Sequence, residues 1–380
     1  MSRSQAIAGL LLGTAVGDAL GLPAEGLSCR RAARLFGAGP VRHRFVFGRG
    51  MCSDDTEHAC MTAQALLASR ADPPRFARSL GWRLRGWLIA LPAGVGLATG
   101  RAVLKLWVGF PPSHSGVWSA GNGPCMRSPL LGVCARNSSH LADLVRASTR
   151  LTHADPAAER GAFAVAAAAR LGAEHGPAGV SLDRFVATFP SDSVDPALRD
   201  ALPLMRAAIG RGADVASFAA DLGLARGVGG YVNHTVPVAL YCWLRYPGDY
   251  AAGVTAAVRL GGDTDTVAAI VGGLLGATNG PDAIPAEWLG GLAKWPRTVR
   301  WMRRLAAAGG GSHCGGGRLA DIRRPAGLTV VARAARPERG VPLPRPAPRV
   351  PKAAAALLTG LPVRATAQRA YDPGDPNGAP

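Results

Sequence analysis

Apolar residues recur at helical spacing along most of the chain, and this periodicity constrains the fold more than any other feature of the sequence. The segments that carry it are residues 4–20, 54–69, 74–88, 140–150, 156–173, 196–210, 214–222, 234–245, 247–259 and 264–278. Patterns typical of β-strands are almost absent, and only 6% of the residues are aromatic while Ala and Leu abound, which favours helix over strand. We therefore predict an all-α protein, a compact orthogonal multi-helix bundle.

The composition changes after Ala308, where the sequence GGGSHCGGGR opens a stretch rich in Gly, Pro, Arg and Ala. Such a stretch offers little to pack into a core, whereas the 48% hydrophobic content of the whole chain is enough for a large one. We predict a folded domain over residues 1–308 and a largely unstructured, low-complexity tail over residues 309–380, in which the apolar patch at 328–331 forms at most a short element.

The formal net charge of +18 raises nucleic acid and anionic membranes as partners. Only three of the 43 basic residues are lysines, which indicates a compositional bias toward arginine, and no basic run is interleaved with aromatic residues. We therefore expect no nucleic-acid partner, with recruitment by the basic tail as the alternative. No apolar stretch reaches the roughly 20 residues that span a bilayer, so we expect no membrane partner.

The seven cysteines are scattered, with no CxxC pair and no metal-finger spacing, which favours a reducing compartment. The apolar run at 6–17 that follows Arg3 has the outline of a short signal peptide, but Asp18 and Glu25 come soon after it and no A-x-A cleavage site is present. We expect a cytoplasmic protein that is a monomer.

The first of two acidic clusters is the sequence SDDT, at residues 53–56, directly before an apolar helical segment. Taken alone, it is consistent with an ordinary helix start, in which Ser53 is the N-cap and the helix dipole favours Asp54 and Asp55 in the first turn.

The second acidic cluster is the sequence GGDTDT, at residues 261–266, which also leads into an apolar helical segment. Its glycines allow a close approach of the backbone, and Asp263, Asp265 and Thr266 present oxygens from one turn. Oxygen ligands of this kind are what Mg²⁺ and Mn²⁺ require. Two such clusters on rigid helices can clamp a pair of divalent ions about 4 Å apart.

These residues resemble the ADP-ribosylglycohydrolase family, which includes the dinitrogenase reductase-activating glycohydrolases and the animal ADP-ribosyl-acceptor hydrolases. The opening GLLLGTAVGDALGLPAEG, at residues 9–26, resembles the family's first helix and the loop after it. SDDT and GGDTDT resemble its two metal motifs, and SAGNGPCMRS, at 119–128, resembles its phosphate-contacting loop. The resemblance implies that residues 1–308 form a catalytic domain with a central di-metal cleft.

The resemblance implies two divalent cations, Mg²⁺ or Mn²⁺, as cofactors, with Asp265 as a bridging ligand. The ligands it implies are Ser53, Asp54, Asp55, Asp263, Asp265 and Thr266. Ser53 is a departure, because many relatives have Thr at this position, but either hydroxyl binds a hard cation. Glu25 corresponds to the glutamate of a mobile loop over the site. Glu25 and Asp55 are the candidate catalytic bases, and the sequence does not decide between them.

The resemblance also implies a set of substrate-binding residues: Ser119, Gly121, Asn122, Gly123, Met126, Arg127, His153 and Tyr231. Backbone N–H groups of the GNG sequence, residues 121–123, can approach a diphosphate closely. Three of these side chains have a purely structural alternative: Arg127 in an ion pair, His153 as a satisfied buried residue and Tyr231 as core filler.

The implied function is a metal-dependent hydrolase that cleaves the glycosidic bond between ADP-ribose and an acceptor. The acceptor is either an ADP-ribosylated protein or a small ADP-ribose conjugate, and the linkage is left open. One alternative is a non-catalytic ADP-ribose-binding member of the same fold, and another is a two-metal hydrolase of a different nucleotide-like substrate.

Overall fold

A computed structural model of the chain describes residues 1–37, 39–90, 92, 94–189 and 194–310, without the side chain of Val46. Within these residues there are sixteen α-helices and no β-strand, so the predicted all-α fold is confirmed. The helices are α1 (Arg3–Gly21), α2 (Cys29–Phe36), α3 (Asp54–Ser69), α4 (Pro73–Ile89), α5 (Leu97–Trp107), α6 (Pro129–Cys134), α7 (Ser138–Thr149), α8 (Pro156–His175), α9 (Leu182–Val186), α10 (Pro196–Gly210), α11 (Val215–Asp221), α12 (Val232–Arg245), α13 (Tyr250–Val258), α14 (Thr264–Asn279), α15 (Ala286–Gly291) and α16 (Val299–Gly309). The predicted tail lies outside the described residues apart from Gly309 and Gly310.

Every helix predicted from the periodicity is present, with ends that differ from the predicted ones by three residues or fewer. The periodicity did not predict α2, α5, α6, α9, α15 and α16. These helices have between 5 and 11 residues. Helices of this length are marginal in isolation, so they depend on contacts with the rest of the fold that a local pattern does not contain.

Helices α1 and α14 pack with their backbones in contact, because glycines stand at every fourth position of α1. The contacting pairs are Gly9 with Gly276, Gly13 with Gly272, Gly17 with Ala268 and Gly21 with Thr264. This order shows that the two helices are antiparallel. A Cβ atom built on Gly17 would lie 2.0 Å from the carbonyl oxygen of Ala268, so no side chain fits there. The packing brings the last turns of α1 beside the first turn of α14.

The segment Arg3–Ala24, which contains α1, is long and apolar enough to cross a membrane by length and composition alone, so the prediction that no apolar stretch reaches this length was wrong. In the fold, 83% of its most apolar window is buried among the other helices. Burial of this extent is what the central helix of a helical core shows, and most residues of α1 belong to the core.

Candidate active site

The two acidic clusters lie together in the fold. The hydroxyl of Thr266, on α14, donates a hydrogen bond to Oδ2 of Asp55, on α3, at 3.2 Å. The hydroxyl of Ser53 donates to the same oxygen at 3.1 Å. Carboxylate oxygens of Asp55 and Asp265 lie within 4.8 Å of each other and of Asp18. Residues more than two hundred positions apart therefore share one site, at the first turns of α3 and α14.

Asp18, on α1, belongs to this cluster although the sequence reasoning did not identify it. Its fully buried carboxylate accepts hydrogen bonds from the backbone N–H groups of Ser53 at 2.9 Å and Thr56 at 3.1 Å, and from the Thr56 hydroxyl at 2.5 Å. Asp18 thus caps the start of α3 from a different helix. The signal in the sequence is a single acidic residue within an otherwise apolar helical segment, which calls for a polar partner in the core.

Burial and mutual repulsion disfavour the charged forms of these carboxyl groups. Burial, and then the charge of Asp18, raises the pKa of Asp54 to about 8. Burial, and then the charge of Asp263, raises the pKa of Asp265 to about 9. The pKa of Asp55 is also raised well above its usual value, by burial first and by Asp265 next. The cluster therefore holds protons at neutral pH unless a cation takes their place.

No Lys, Arg or His side chain of the described part of the chain forms an ion pair with any of these carboxylates. Two cations near the start of α3, Lys294 and Arg297, pair with Glu57 instead, at 2.8 and 3.0 Å. Oδ1 of Asp55 and Oδ1 of Asp265 are buried and have no hydrogen-bond partner. Free buried carboxylate oxygens and nearby hydroxyls form a donor set that fits a hard divalent cation.

Glu25 lies at the edge of the cluster, on a loop that is tied to the second acidic motif. The N–H of Gly26 donates to the carbonyl oxygen of Gly262 at 2.8 Å, and the N–H of Gly262 donates to the carbonyl oxygen of Leu27 at 2.7 Å. The Glu25 side chain is exposed, and partial burial together with the charge of Asp263 raises its pKa. The structure thus places an exposed carboxylate beside a buried acidic centre.

The GNG loop contacts the acidic cluster through Asn122. Its side-chain amide donates to Oδ2 of Asp263 at 2.7 Å and to the hydroxyl of Thr235 at 2.9 Å. Gly121 forms an isolated β-bridge with Tyr231, so the two segments predicted to bind substrate lie side by side. The predicted phosphate loop therefore adjoins the predicted metal ligands.

Ser119 and Tyr231 have different surroundings at this loop. The hydroxyl of Ser119 accepts a hydrogen bond from the N–H of Gly121 at 3.3 Å, which shapes the start of the loop. The side chain of Tyr231 is 41% exposed and meets the ring of His234 edge to face. Tyr231 is therefore not core filler, and its ring is accessible to a ligand.

Met126 and Arg127, which follow the GNG loop in sequence, are both buried, and their predicted contact with substrate stays a prediction. Within the described residues Arg127 does not form the ion pair considered as its alternative, because its guanidinium donates to neutral groups of Ser148, Thr152 and His58. His153 is also buried, with its ring directly under the loop: a Cβ atom on Gly121 would lie 3.1 Å from Nε2 of His153, and one on Gly123 would lie 3.0 Å from its Cε1.

Comparison with known proteins identifies related sequences and a related structure. The sequence profile described as ADP-ribosylglycohydrolase matches residues 1–316. A protein of Archaeoglobus fulgidus without a characterised function is 30% identical over 296 residues, which cover 74% of this chain and 90% of that protein. The ADP-ribosyl-[dinitrogen reductase] glycohydrolase of Rhodospirillum rubrum is 27% identical over 305 residues, which cover 77% of this chain and 92% of the relative.

A solved structure described as an ADP-ribosylglycohydrolase-related protein complex superimposes with a TM-score of 0.60 and 30% sequence identity, covering 81% of this chain and 97% of the other. The family profile spans most of the chain, and both acidic motifs lie within the matched range. The chain therefore belongs to the ADP-ribosylglycohydrolase family.

Proposed function

We propose that the protein is a metal-dependent hydrolase that cleaves the glycosidic bond between ADP-ribose and an acceptor, either an ADP-ribosylated protein or a small ADP-ribose conjugate. The observation that carries this proposal is that carboxylates of SDDT and GGDTDT lie together in the fold. One buried oxygen of Asp55 and one of Asp265 have no hydrogen-bond partner. The relative from Rhodospirillum rubrum, whose name specifies an ADP-ribosylated protein as substrate, supports the choice of ADP-ribose.

In this proposal two divalent cations, Mg²⁺ or Mn²⁺, are held by Ser53, Asp54, Asp55, Asp263, Asp265 and Thr266. The bound cations would supply positive charge that orients the ribose hydroxyls and stabilises negative charge as the glycosidic bond breaks. Asn122 keeps Asp263 in place through its amide hydrogen bond. The buried hydroxyls of Ser53 and Thr266 fix the orientation of the Asp55 carboxylate.

The chain's own residues account for substrate positioning and proton transfer in the proposal. The N–H groups of Gly121 and Asn122 already donate to the Ser119 hydroxyl and the Gly230 carbonyl oxygen, so the N–H of Gly123 is the one that binds the diphosphate. The exposed ring of Tyr231 covers the nucleoside. Water attacks the anomeric carbon while the bond to the acceptor atom breaks, through an oxocarbenium-like transition state. Glu25 or Asp55 takes the proton from the water, and the acceptor atom leaves with the electron pair of the broken bond and takes up a proton. The raised pKa of Glu25 makes it a better proton acceptor near neutral pH than an ordinary glutamate.

The test is a panel of ADP-ribose conjugates, linked through arginine, through serine and through an acetyl ester, incubated with Mg²⁺ or Mn²⁺ and, in parallel, with a chelator. We expect release of ADP-ribose from at least one linkage with metal and none with chelator, and loss of this activity in Asp265→Asn. Full activity in the presence of chelator would contradict the proposal. Tight binding of ADP-ribose without cleavage of any linkage would favour the non-catalytic alternative.

A further inference from the structure

Arg127 is fully buried, and its guanidinium is surrounded by neutral hydrogen-bond acceptors. Its Nε donates to the Ser148 hydroxyl at 3.0 Å, and Nη2 donates to the Ser148 carbonyl oxygen at 2.9 Å. Nη2 also donates to the Thr152 hydroxyl at 2.7 Å, and Nη1 donates to Nδ1 of His58 at 3.2 Å. Burial lowers the pKa of Arg127 to about 10, so the guanidinium stays charged at neutral pH and acts only as a donor.

The hydroxyl of Thr152 connects this guanidinium to His153. Its oxygen accepts the bond from Arg127, and it lies 2.9 Å from Nδ1 of His153. A hydroxyl has one proton to donate, and Nδ1 is the acceptor that the structure places beside it. If Nδ1 carried the proton instead, the buried hydroxyl proton would lose this acceptor, which is unfavourable. Nδ1 of His153 is therefore unprotonated, and the ring proton of the neutral histidine is on Nε2.

The Nε2 atom of His153 faces the GNG loop, since it is the ring atom nearest to a Cβ built on Gly121. Burial, and then the charge of Arg127, lowers the pKa of His153 to about 3, so the ring is neutral near pH 7. A neutral imidazole in the other tautomer would present a lone pair at this loop, which repels an anion. The tautomer held by Thr152 presents an N–H group instead.

We propose that Arg127 is a positioning residue that acts through the Thr152 hydroxyl to hold His153 as an Nε2–H donor beneath the GNG loop, where it supports a diphosphate. The claim about the diphosphate rests on the proposed function, whereas the claim about the tautomer does not. The buried cation assists anion binding without touching the anion, which explains why Arg127 lies below the loop and not on its surface.

The direct test is to locate the ring proton of His153 by long-range ¹H–¹⁵N correlation in ¹⁵N-histidine-labelled protein, with the signal assigned by its loss in His153→Gln. We expect the Nε2–H tautomer in the wild type, a mixture of tautomers in Thr152→Val, and the wild-type state in Thr152→Ser, which keeps the hydroxyl. The matched control is Thr149→Val, because the Thr149 hydroxyl is buried in the same region without a hydrogen-bond partner. An Nδ1–H tautomer in the wild type, or no change in Thr152→Val, would overturn the proposal.

The second test is calorimetric titration of the same variants with ADP-ribose. We expect Thr152→Val to bind about tenfold more weakly than the wild type, since the Nε2–H group of His153 is no longer held in place to donate to the charged diphosphate. Thr152→Ser and Thr149→Val should bind like the wild type. Equal binding by Thr152→Val would overturn the role in diphosphate binding. A wild type that binds no ADP-ribose would instead count against the proposed function, and the tautomer measurement would still decide the positioning role.

Discussion

Thr266 donates its hydroxyl to Oδ2 of Asp55 across 211 positions of sequence, at 3.2 Å. Because Ser53 donates to the same oxygen, both hydrogen bonds to Asp55 fall on one side of its carboxylate and leave Oδ1 without a partner. The relationship joins the two acidic motifs and gives a role to one hydroxyl residue in each, Ser53 and Thr266. The hydroxyls orient the carboxylate, and its free oxygen remains available to a cation.

Removal of the Thr266 hydroxyl tests this coupling. We expect Thr266→Val to lower the affinity for Mn²⁺ by about 10- to 100-fold, because ligand orientation is lost together with a candidate ligand. Calorimetric titration with Mn²⁺ measures the change. Thr62→Val is the control, since the Thr62 hydroxyl is buried in α3 without a hydrogen-bond partner and its loss should leave the affinity unchanged. An unaltered affinity in Thr266→Val would separate the hydroxyl from the metal centre.

The raised pKa values of Asp54 and Asp265 predict how metal and pH act together on stability. Both values lie above the ordinary aspartate value of 3.8, so the folded protein binds more protons than the unfolded chain at intermediate pH. The stability that these groups contribute is fully present below about pH 4 and is lost as pH rises through about 8 to 9. Divalent cations bind the deprotonated carboxylates and offset this loss.

We therefore expect saturating Mg²⁺ to raise the melting temperature more at about pH 9 than at about pH 6, each relative to a chelator at the same pH. Comparison at one pH cancels most of the contribution of groups remote from the cluster, such as the buried cysteine thiols. Differential scanning fluorimetry gives the measurement. Asp265→Asn should reduce the dependence on pH, and an increase that is the same at both pH values would contradict the coupling of metal and proton binding.

The contact of α1 with α14 predicts a large loss of stability for a small substitution. In Gly17→Ala the added methyl group would lie 2.0 Å from a backbone oxygen, so we expect the free energy of unfolding to fall by about 3 kcal/mol or more. Gly86→Ala is the control, because Gly86 lies in α4 with open space around its Cβ position and should become about 0.5–1 kcal/mol more stable. Urea unfolding distinguishes them, and similar effects of the two changes would show that the helices do not pack this closely.

Asn122 predicts a link between substrate and metal. Asn122→Ala removes the amide that bonds Asp263 and Thr235, so we expect both ADP-ribose affinity and Mn²⁺ affinity to fall by about tenfold. In the control Asn233→Ala, the lost amide bonds only the hydroxyl of Tyr231, at an exposed position, and Mn²⁺ affinity should not change. A fall in ADP-ribose affinity alone would show that the loop and the metal centre act independently.

The sequence predicted the parts of this molecule that local patterns determine. Long apolar periodicity located ten of the sixteen helices of the described residues, and acidic residues at helix starts located SDDT and GGDTDT. Their meeting is a tertiary contact between α3 and α14, which local patterns do not contain. The glycines at every fourth position of α1 permit its close packing against α14, but they do not identify the partner helix. The packing of Asp18 against the start of α3 depends on the contact of α1 with α3, which no local pattern contains, and the sequence did not predict it.

Burial of single side chains was the part least accessible from sequence. Arg127 follows a glycine-rich loop and, as a charged residue, is expected at a surface. In the fold it lies below that loop, since Ser148, Thr152 and His58 from three other segments supply its acceptors. No local pattern encodes such a set of partners. The roles of the predicted ligands and substrate residues stay predictions.

Electron paramagnetic resonance of the Mn²⁺-loaded protein tests the central claim most directly, namely that the carboxylates of α3 and α14 hold divalent cations at one shared centre. We predict about two Mn²⁺ ions per chain with the magnetic coupling of neighbouring ions, and loss of the coupled signal in both Asp55→Asn and Asp265→Asn. Failure of the wild type to bind Mn²⁺, or a coupled signal that persists in both variants, would contradict the account.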